Sequence, residues 1–267
     1  MQPTGTFTSS GIKLAYYEAQ PVTSASDAAN NTPAETIMLV HGFASHANMN
    51  WVSPGWFEYL TNAGYHVVAF DNRGHGESEK RYELDDYGSH LMASDVKALV
   101  DHLNLGKVHL MGYSMGARIS AFVTRDYPEI LKSVIFAGMG YNMVRGIGNP
   151  EPIARALEAP TADDVKNPAA KNFRVFAEQT KSDLKALAAC MRSSRVPVTA
   201  ETMTNIKVPA LVAVGTTDVI AGDGAKLAEM IPNGQHFPIE GRDHMRAVGD
   251  QSYKDGVLAF LKSVPKA

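Results

Sequence analysis

The 267-residue chain has one cysteine, Cys190, so no disulfide can close within it. It also lacks the paired cysteines of a zinc ribbon or an iron–sulfur centre, and no metal is expected. A lone thiol fits a reducing compartment. No apolar run approaches the roughly 20 residues of a membrane-crossing helix; the longest are strand-sized. The opening residues Met1-Gln2-Pro3-Thr4-Gly5 have neither the basic charge nor the apolar stretch of a secretory leader. A cytoplasmic protein with no stable membrane association is therefore expected. Charge of one sign is lacking too: the formal net charge of −3 leaves no footprint for nucleic acid or an anionic surface. What remains is the composition of a soluble globular protein. Its length suits one large α/β domain, or a core domain with an inserted lid.

Short apolar runs alternate with helix-period segments along most of the chain. Thr6 to Glu18 reads as a hairpin around Ser9-Ser10-Gly11, and the small polar stretch Pro21 to Pro33 as an exposed loop. Thr36 to Val40 is a short, mainly apolar strand, as in one buried on both faces of a parallel sheet. A helix is predicted over Trp51 to Ala63, a strand over Tyr65 to Phe70, and a helix over about Tyr87 to Leu103. Val108 to Met111 and Leu131 to Phe136 are further strands. From Gly138 to about Ile206 the alternation stops and the pattern is mostly helical, punctuated by Pro150, Pro152, Pro160 and Pro168. It resumes with strand Ala210 to Val214, helix Ala225 to Ile231, strand His236 to Ile239 and a last helix from about Asp250 to Leu261. Such alternation implies a mostly parallel sheet covered on both faces, with its site at the carboxyl ends of the strands.

Gly112-Tyr113-Ser114-Met115-Gly116 stands between a strand and a helix. A serine between two glycines at such a junction suits a nucleophile elbow, where the turn is too tight for flanking side chains. A serine hydroxyl needs a base. His244, in the loop between the last strand and the last helix, is the candidate; His236 falls at the amino end of its strand, away from the serine. Asp218 directly follows strand Ala210 to Val214 and is the carboxylate placed to orient that base. Asp223 reads as a helix cap, and Asp243 as a weak alternative. His41-Gly42-Phe43 follows strand Thr36 to Val40. A backbone N–H there, together with that of Met115, is a candidate pair of oxyanion donors. His41 itself reads as holding the loop, and Arg73 and His75 as holding the turn Asp71 to Gly76. Cys190 reads as a packed thiol. Met139 and Met143 suit a pocket wall or the core equally.

Three motifs, His41-Gly42-Phe43, Asp71-Asn72-Arg73-Gly74-His75-Gly76-Glu77-Ser78 and Gly112 to Gly116, resemble those of the α/β-hydrolase superfamily. Asp218 and His244 follow in its order of serine, acid, histidine. The resemblance spans about residues 36 to 261, and the loop from Pro21 to Pro33 is longer than the family pattern. It implies an eight-stranded, mostly parallel sheet with helices on both faces. Residues 1–139 and 206–267 would form the core domain and 140–205 a small helical lid. It further implies a Ser114–His244–Asp218 triad, oxyanion donors from Phe43 and Met115, and no cofactor. Serine at the elbow argues against the branches with an aspartate nucleophile. The expected activity is that of a carboxylesterase-like serine hydrolase acting on a small-molecule ester. Rivals on the same triad are carbon–carbon bond hydrolysis, lactone opening and acyl transfer; a small-molecule receptor is the rival from another class. Arg145, Arg155 and Arg174 are candidates to grip a substrate carboxylate in the carbon–carbon case. Oligomeric state is left open.

Overall fold

The computed structural model describes residues 1–22, 34–146, 148–193 and 196–265. Most of the loop expected from Pro21 to Pro33 lies outside these residues. Eight strands form one sheet: β1 (Gly5–Ser9), β2 (Ile12–Ala19), β3 (Thr36–Val40), β4 (His66–Phe70), β5 (Val108–Tyr113), β6 (Leu131–Ala137), β7 (Ala210–Gly215) and β8 (Gly234–Ile239). Their order across the sheet is β1-β2-β4-β3-β5-β6-β7-β8. Only β2 runs against its neighbours; β4, β3, β5, β6, β7 and β8 pair parallel in sequence across the sheet.

The apolar run in β3 is explained by a core on each side. Side chains alternate across a strand. Met38 and Val40 join one apolar cluster with Val96 and Leu99 of α2 (Ser89–His102) and Ile119 and Phe122 of α3 (Met115–Asp126). Ile37 and Leu39 join the other, with Trp56 and Leu60 of α1 (Trp56–Asn62) and Val257 and Phe260 of α10 (Gln251–Ser263). With both faces covered, all five residues of β3 are buried.

The helix predicted over Trp51 to Ala63 is in fact two pieces. A π-helical turn covers Asn48–Val52, and α1 starts at Trp56. Pro54 and Gly55 divide them, Gly55 taking the left-handed φ of 80° that only glycine adopts without penalty.

Among the described residues between β6 and β7 are the α-helices α4 (Asn142–Arg145), α5 (Glu151–Glu158), α6 (Pro168–Gln179), α7 (Leu184–Arg192) and α8 (Ala200–Thr204). Side chains of Asn167, Asp183 and Thr199 cap α6, α7 and α8 by accepting backbone N–H bonds. These helices have their own small apolar cluster of Leu157, Ala177, Leu187 and Ala188, joined by Ala44 from the loop after β3. A ninth helix, α9 (Gly224–Glu229), is capped by Asp223, as its sequence position suggests.

Candidate active site

The turn from β5 into α3 is forced by close backbone packing. A Cβ on Gly112 would fall 2.2 Å from the carbonyl oxygen of Gly116. A Cβ on Gly116 would fall 2.0 Å from that of Val40. Neither position admits a side chain, so the start of α3 rests directly on the end of β3. Ser114 is left at φ 54°, ψ −111°, a conformation that costs a non-glycine residue of order 1–3 kcal/mol. Its N–H donates to the Ala137 carbonyl at 2.8 Å, which ties the strained turn to β6.

Ser114 Oγ lies 3.0 Å from His244 Nε2, and His244 Nδ1 lies 2.7 Å from Asp218 Oδ2. The carboxylate can only accept, so Nδ1 carries the proton and donates to it. Nε2 is then the acceptor facing the serine hydroxyl. The other carboxylate oxygen of Asp218 accepts from the backbone N–H groups of Ile220 and Ala221 at 2.8 and 3.0 Å, which fixes the acid on its loop. Asp243 turns into its own loop instead, accepting from Met245 and Arg246 N–H.

The loop after β3 is held from below. Asn72 N–H donates to His41 Nε2 at 2.9 Å, so His41 Nδ1 carries the proton and donates to the Gly42 carbonyl at 2.8 Å. Burial pushes the His41 imidazole down to about 3, and that of His75 likewise. Both are neutral struts. Arg73 is also structural, but its partner is not within the turn: Nε and Nη2 make a forked pair with Asp95 of α2 at 2.8 and 2.6 Å. Asp71 accepts from Tyr17 Oη, Ala47 N and Glu77 N, tying the same turn to β2 and to the loop after β3.

Two contacts were not foreseen. Asn50 Oδ1 accepts the Gly42 N–H at 3.0 Å, and nothing in the sequence marks Asn50 out. Tyr113, inside the serine motif, donates its hydroxyl to the His244 carbonyl at 2.6 Å. A large residue beside the serine was the only available hint.

Ser114 opens onto a cavity of about 100 Å³ beneath the helices that follow β6. Phe43 and Met115 border it, as do Met139 and Met143. Met115 is the first residue of α3, and the first N–H groups of a helix have no partner within it. Cys190 is buried and also lines the cavity, which the reading as a packed thiol missed. Arg145, Arg155 and Arg174 do not. Arg155 is 77% exposed and pairs with Glu151, and Arg145 is exposed. Arg174 is buried, donating to the carbonyls of Ala156, Leu157 and Ala159 at the end of α5. Among the described residues, no group of three His, Cys, Asp or Glu side chains could hold a metal ion. None of the described helices is long and apolar enough to cross a membrane.

Residues 35–210 match the family model of the α/β-hydrolase fold. The chain belongs to that family. A Haemophilus influenzae protein provisionally named an esterase/lipase is 31% identical over 45% of this chain and 39% of its own length. An Escherichia coli 2-hydroxy-6-oxononadienedioate/2-hydroxy-6-oxononatrienedioate hydrolase is 33% identical over 40% of this chain and 36% of its own. This α/β hydrolase thus matches well under half the length of these curated relatives. In three dimensions it is similar to the enol-lactonase of Burkholderia xenovorans LB400, with a TM-score of 0.79 over 97% of this chain and 100% of that one. At 21% identity that likeness concerns the fold.

Proposed function

We propose that this α/β hydrolase is a serine esterase that opens small carboxylic esters through an acyl-enzyme at Ser114. The observation that carries the reading is the chain of two hydrogen bonds, Ser114 to His244 to Asp218, at the mouth of an apolar cavity. His244 takes the serine proton as Oγ attacks the ester carbonyl, and Asp218 stabilises the imidazolium that results. The N–H groups of Phe43 and Met115 receive the oxyanion. One such donor is worth about 3–4 kcal/mol to the transition state, because it is fixed before the charge develops. His244 returns the proton to the leaving alcohol, then activates a water that releases the acid. Residues 140–205 act as the lid that shapes the pocket, on a core of 1–139 and 206–267.

Carbon–carbon cleavage of a diacid, as named for the Escherichia coli relative, calls for a cationic grip on a carboxylate. Of the arginines offered for that grip, Arg155 pairs with Glu151, Arg174 binds the end of α5 and Arg145 is exposed, while Arg118, which does line the cavity, donates to the Val196 carbonyl. A neutral ester fits the apolar walls better. Intact mass after treatment with a fluorophosphonate, beside turnover of p-nitrophenyl esters, tests the reading. One adduct, lost in Ser114→Ala, together with ester turnover is the expected result. An adduct without turnover of any ester would move the assignment to another acyl chemistry or to a receptor. No adduct would remove Ser114 as the nucleophile.

A further inference from the structure

Five of the chain's twelve methionines surround the cavity at Ser114: Met92, Met115, Met139, Met143 and Met191. They come from α2, the start of α3, the stretch after β6, α4 and α7, so the thioethers converge from separate elements. Phe43, Phe173, Ile153 and Ile220 complete the apolar part of the wall, which Ser89, Arg118, Asn142 and Ser193 interrupt. A methionine side chain is unbranched, has three rotatable bonds and refills irregular space at little cost. A wall in which five of fifteen lining residues are such side chains changes shape to suit its occupant. A wall of leucine and isoleucine keeps its own.

The cavity also has a direction. Phe43, Ser114 and Met115 border it, whereas Asp218 and His244 are followed by Val219 and Met245, which are 91% and 56% exposed. The leaving alcohol must meet His244 to receive its proton, so it departs on that open side. The group on the other side of the carbonyl enters the cavity. Size sets the resting limit: an apolar cavity of about 150 Å³ accommodates benzene, and this one encloses about 100 Å³.

We propose that the cavity is a yielding acyl pocket, selective for unbranched aliphatic acyl groups of about four to eight carbons over rigid aromatic ones. The proposal rests on the ester-hydrolase reading above. A straight chain threads between movable thioethers, and they close behind it. A planar ring needs its whole width at once, which the resting pocket lacks.

The test is a series of p-nitrophenyl esters with one leaving group, from acetate to decanoate, with benzoate beside them. kcat/KM should rise about fourfold per methylene, the ~0.8 kcal/mol of a buried CH₂, up to the preferred lengths. Benzoate should fall about tenfold below hexanoate, within the range that overpacking costs. Met143→Ile puts a stiff, branched side chain in the wall and should lower the hexanoate-to-acetate ratio about fivefold, whereas Met143→Leu, closer to volume-conserving, should stay within about twofold. Benzoate turned over as well as hexanoate, or a ratio unmoved by Met143→Ile, would overturn the proposal. Dissociation constants of the same esters on Ser114→Ala read the pocket whether or not the wild type hydrolyses them. Affinity rising with chain length, without turnover, would keep the pocket and sink the esterase. Affinity flat with chain length would sink the pocket, whatever the turnover.

Discussion

Around Ser114 the sheet leaves no slack, whereas the helices above it share a cluster of five buried apolar side chains, with partly buried ones packed against it. At the elbow, Gly112 and Gly116 stand where one added carbon would collide with backbone oxygens. Beneath the neighbouring loop, His41, Asn50 and Asn72 are locked by buried hydrogen bonds. The α5–α7 cluster is instead two leucines and three alanines, counting Ala44 beneath it. Arg192 adds salt bridges to Glu151 and Glu158 at the rim of that segment, where water weakens them. The groups proposed to react thus sit on the rigid side, and much of the wall facing the substrate sits on the softer side. Close packing transmits small displacements, so chemistry placed there holds its geometry. A wall supplied by loosely joined helices can vary without disturbing it.

The sharpest way to break this division is at the rigid side. Ser114→Ala should lower ester turnover on the order of 10⁴-fold or more while leaving the fold intact, and steady-state kinetics measures it. Turnover within tenfold of the wild type would remove the reacting centre from the elbow altogether. Gly116→Ala should be as damaging by another route. The new methyl has no space between α3 and β3, so the expected loss is above about 4 kcal/mol, read as insoluble product or a collapsed urea midpoint. Normal stability in that variant would mean that the elbow has room to move.

Much of the rigid side was legible in the sequence because it depends on local rules. Strand-period runs, the glycines at the elbow and the placement of Asp218 and His244 just after strands each follow from backbone geometry that a few residues determine. The eight-stranded sheet, by contrast, came from the resemblance, and the pattern alone gave only a mostly parallel one. The misread helix at Trp51 shows the limit. Its apolar spacing suits one continuous helix, and only the Pro54–Gly55 pair argues otherwise. Contacts between distant segments were not legible. The Asn50 bond to Gly42 joins residues 8 apart through a π-helical turn, and the Tyr113 bond to His244 spans 131 positions. The cavity wall was least legible of all. Met139 and Met143 have the same pattern in a core as in a pocket, and Arg174 has the same letters whether it faces substrate or caps α5.

Acid offers a way to attack one side first. His41 and His75 are held neutral by burial, with values near 3 against an ordinary 6.5, and residues 142–204 contain no histidine. Below pH 6.5 the unfolded chain takes up protons that these two folded imidazoles refuse. Stability therefore falls as pH drops from 6.5 toward 3, by up to about 1.4 kcal/mol per pH unit for each. Glu151 is held down at about 2 by Arg192 and then Arg155, so its share is lost only from 4.5 downward. Both tryptophans, Trp51 and Trp56, are buried on the sheet side, and their fluorescence should show a urea midpoint falling from pH 7 to pH 5. An unchanged midpoint across that window would show that the buried histidines are not neutral struts. Leu157→Ala probes the softer side. Removing that side chain should cost about 2–4 kcal/mol, appearing as faster amide exchange in residues 151–192. The tryptophan transition should move less than in Leu60→Ala, which opens a cavity beneath the sheet. Equal shifts would mean that the two regions unfold as one.

The smallest effect concerns the place where two parts of the rigid side meet. Tyr113 is 2% exposed, its hydroxyl reaches the His244 carbonyl, and the two ring centroids are 5.5 Å apart. The ring is wedged against Gly138, where a Cβ would come within 2.6 Å of it. Tyr113→Phe keeps that wedge and deletes one hydrogen bond, worth about 0.5–1.5 kcal/mol. If the bond only packs the sheet, Tm falls slightly and kinetics stay as they were. If it fixes the loop that presents His244 to Ser114, kcat falls roughly 2–10-fold with KM nearly constant, because the misalignment is felt in the transition state more than in binding. The second result is expected, since the bonded carbonyl belongs to the histidine itself and Tyr113 stands next to Ser114 at the elbow.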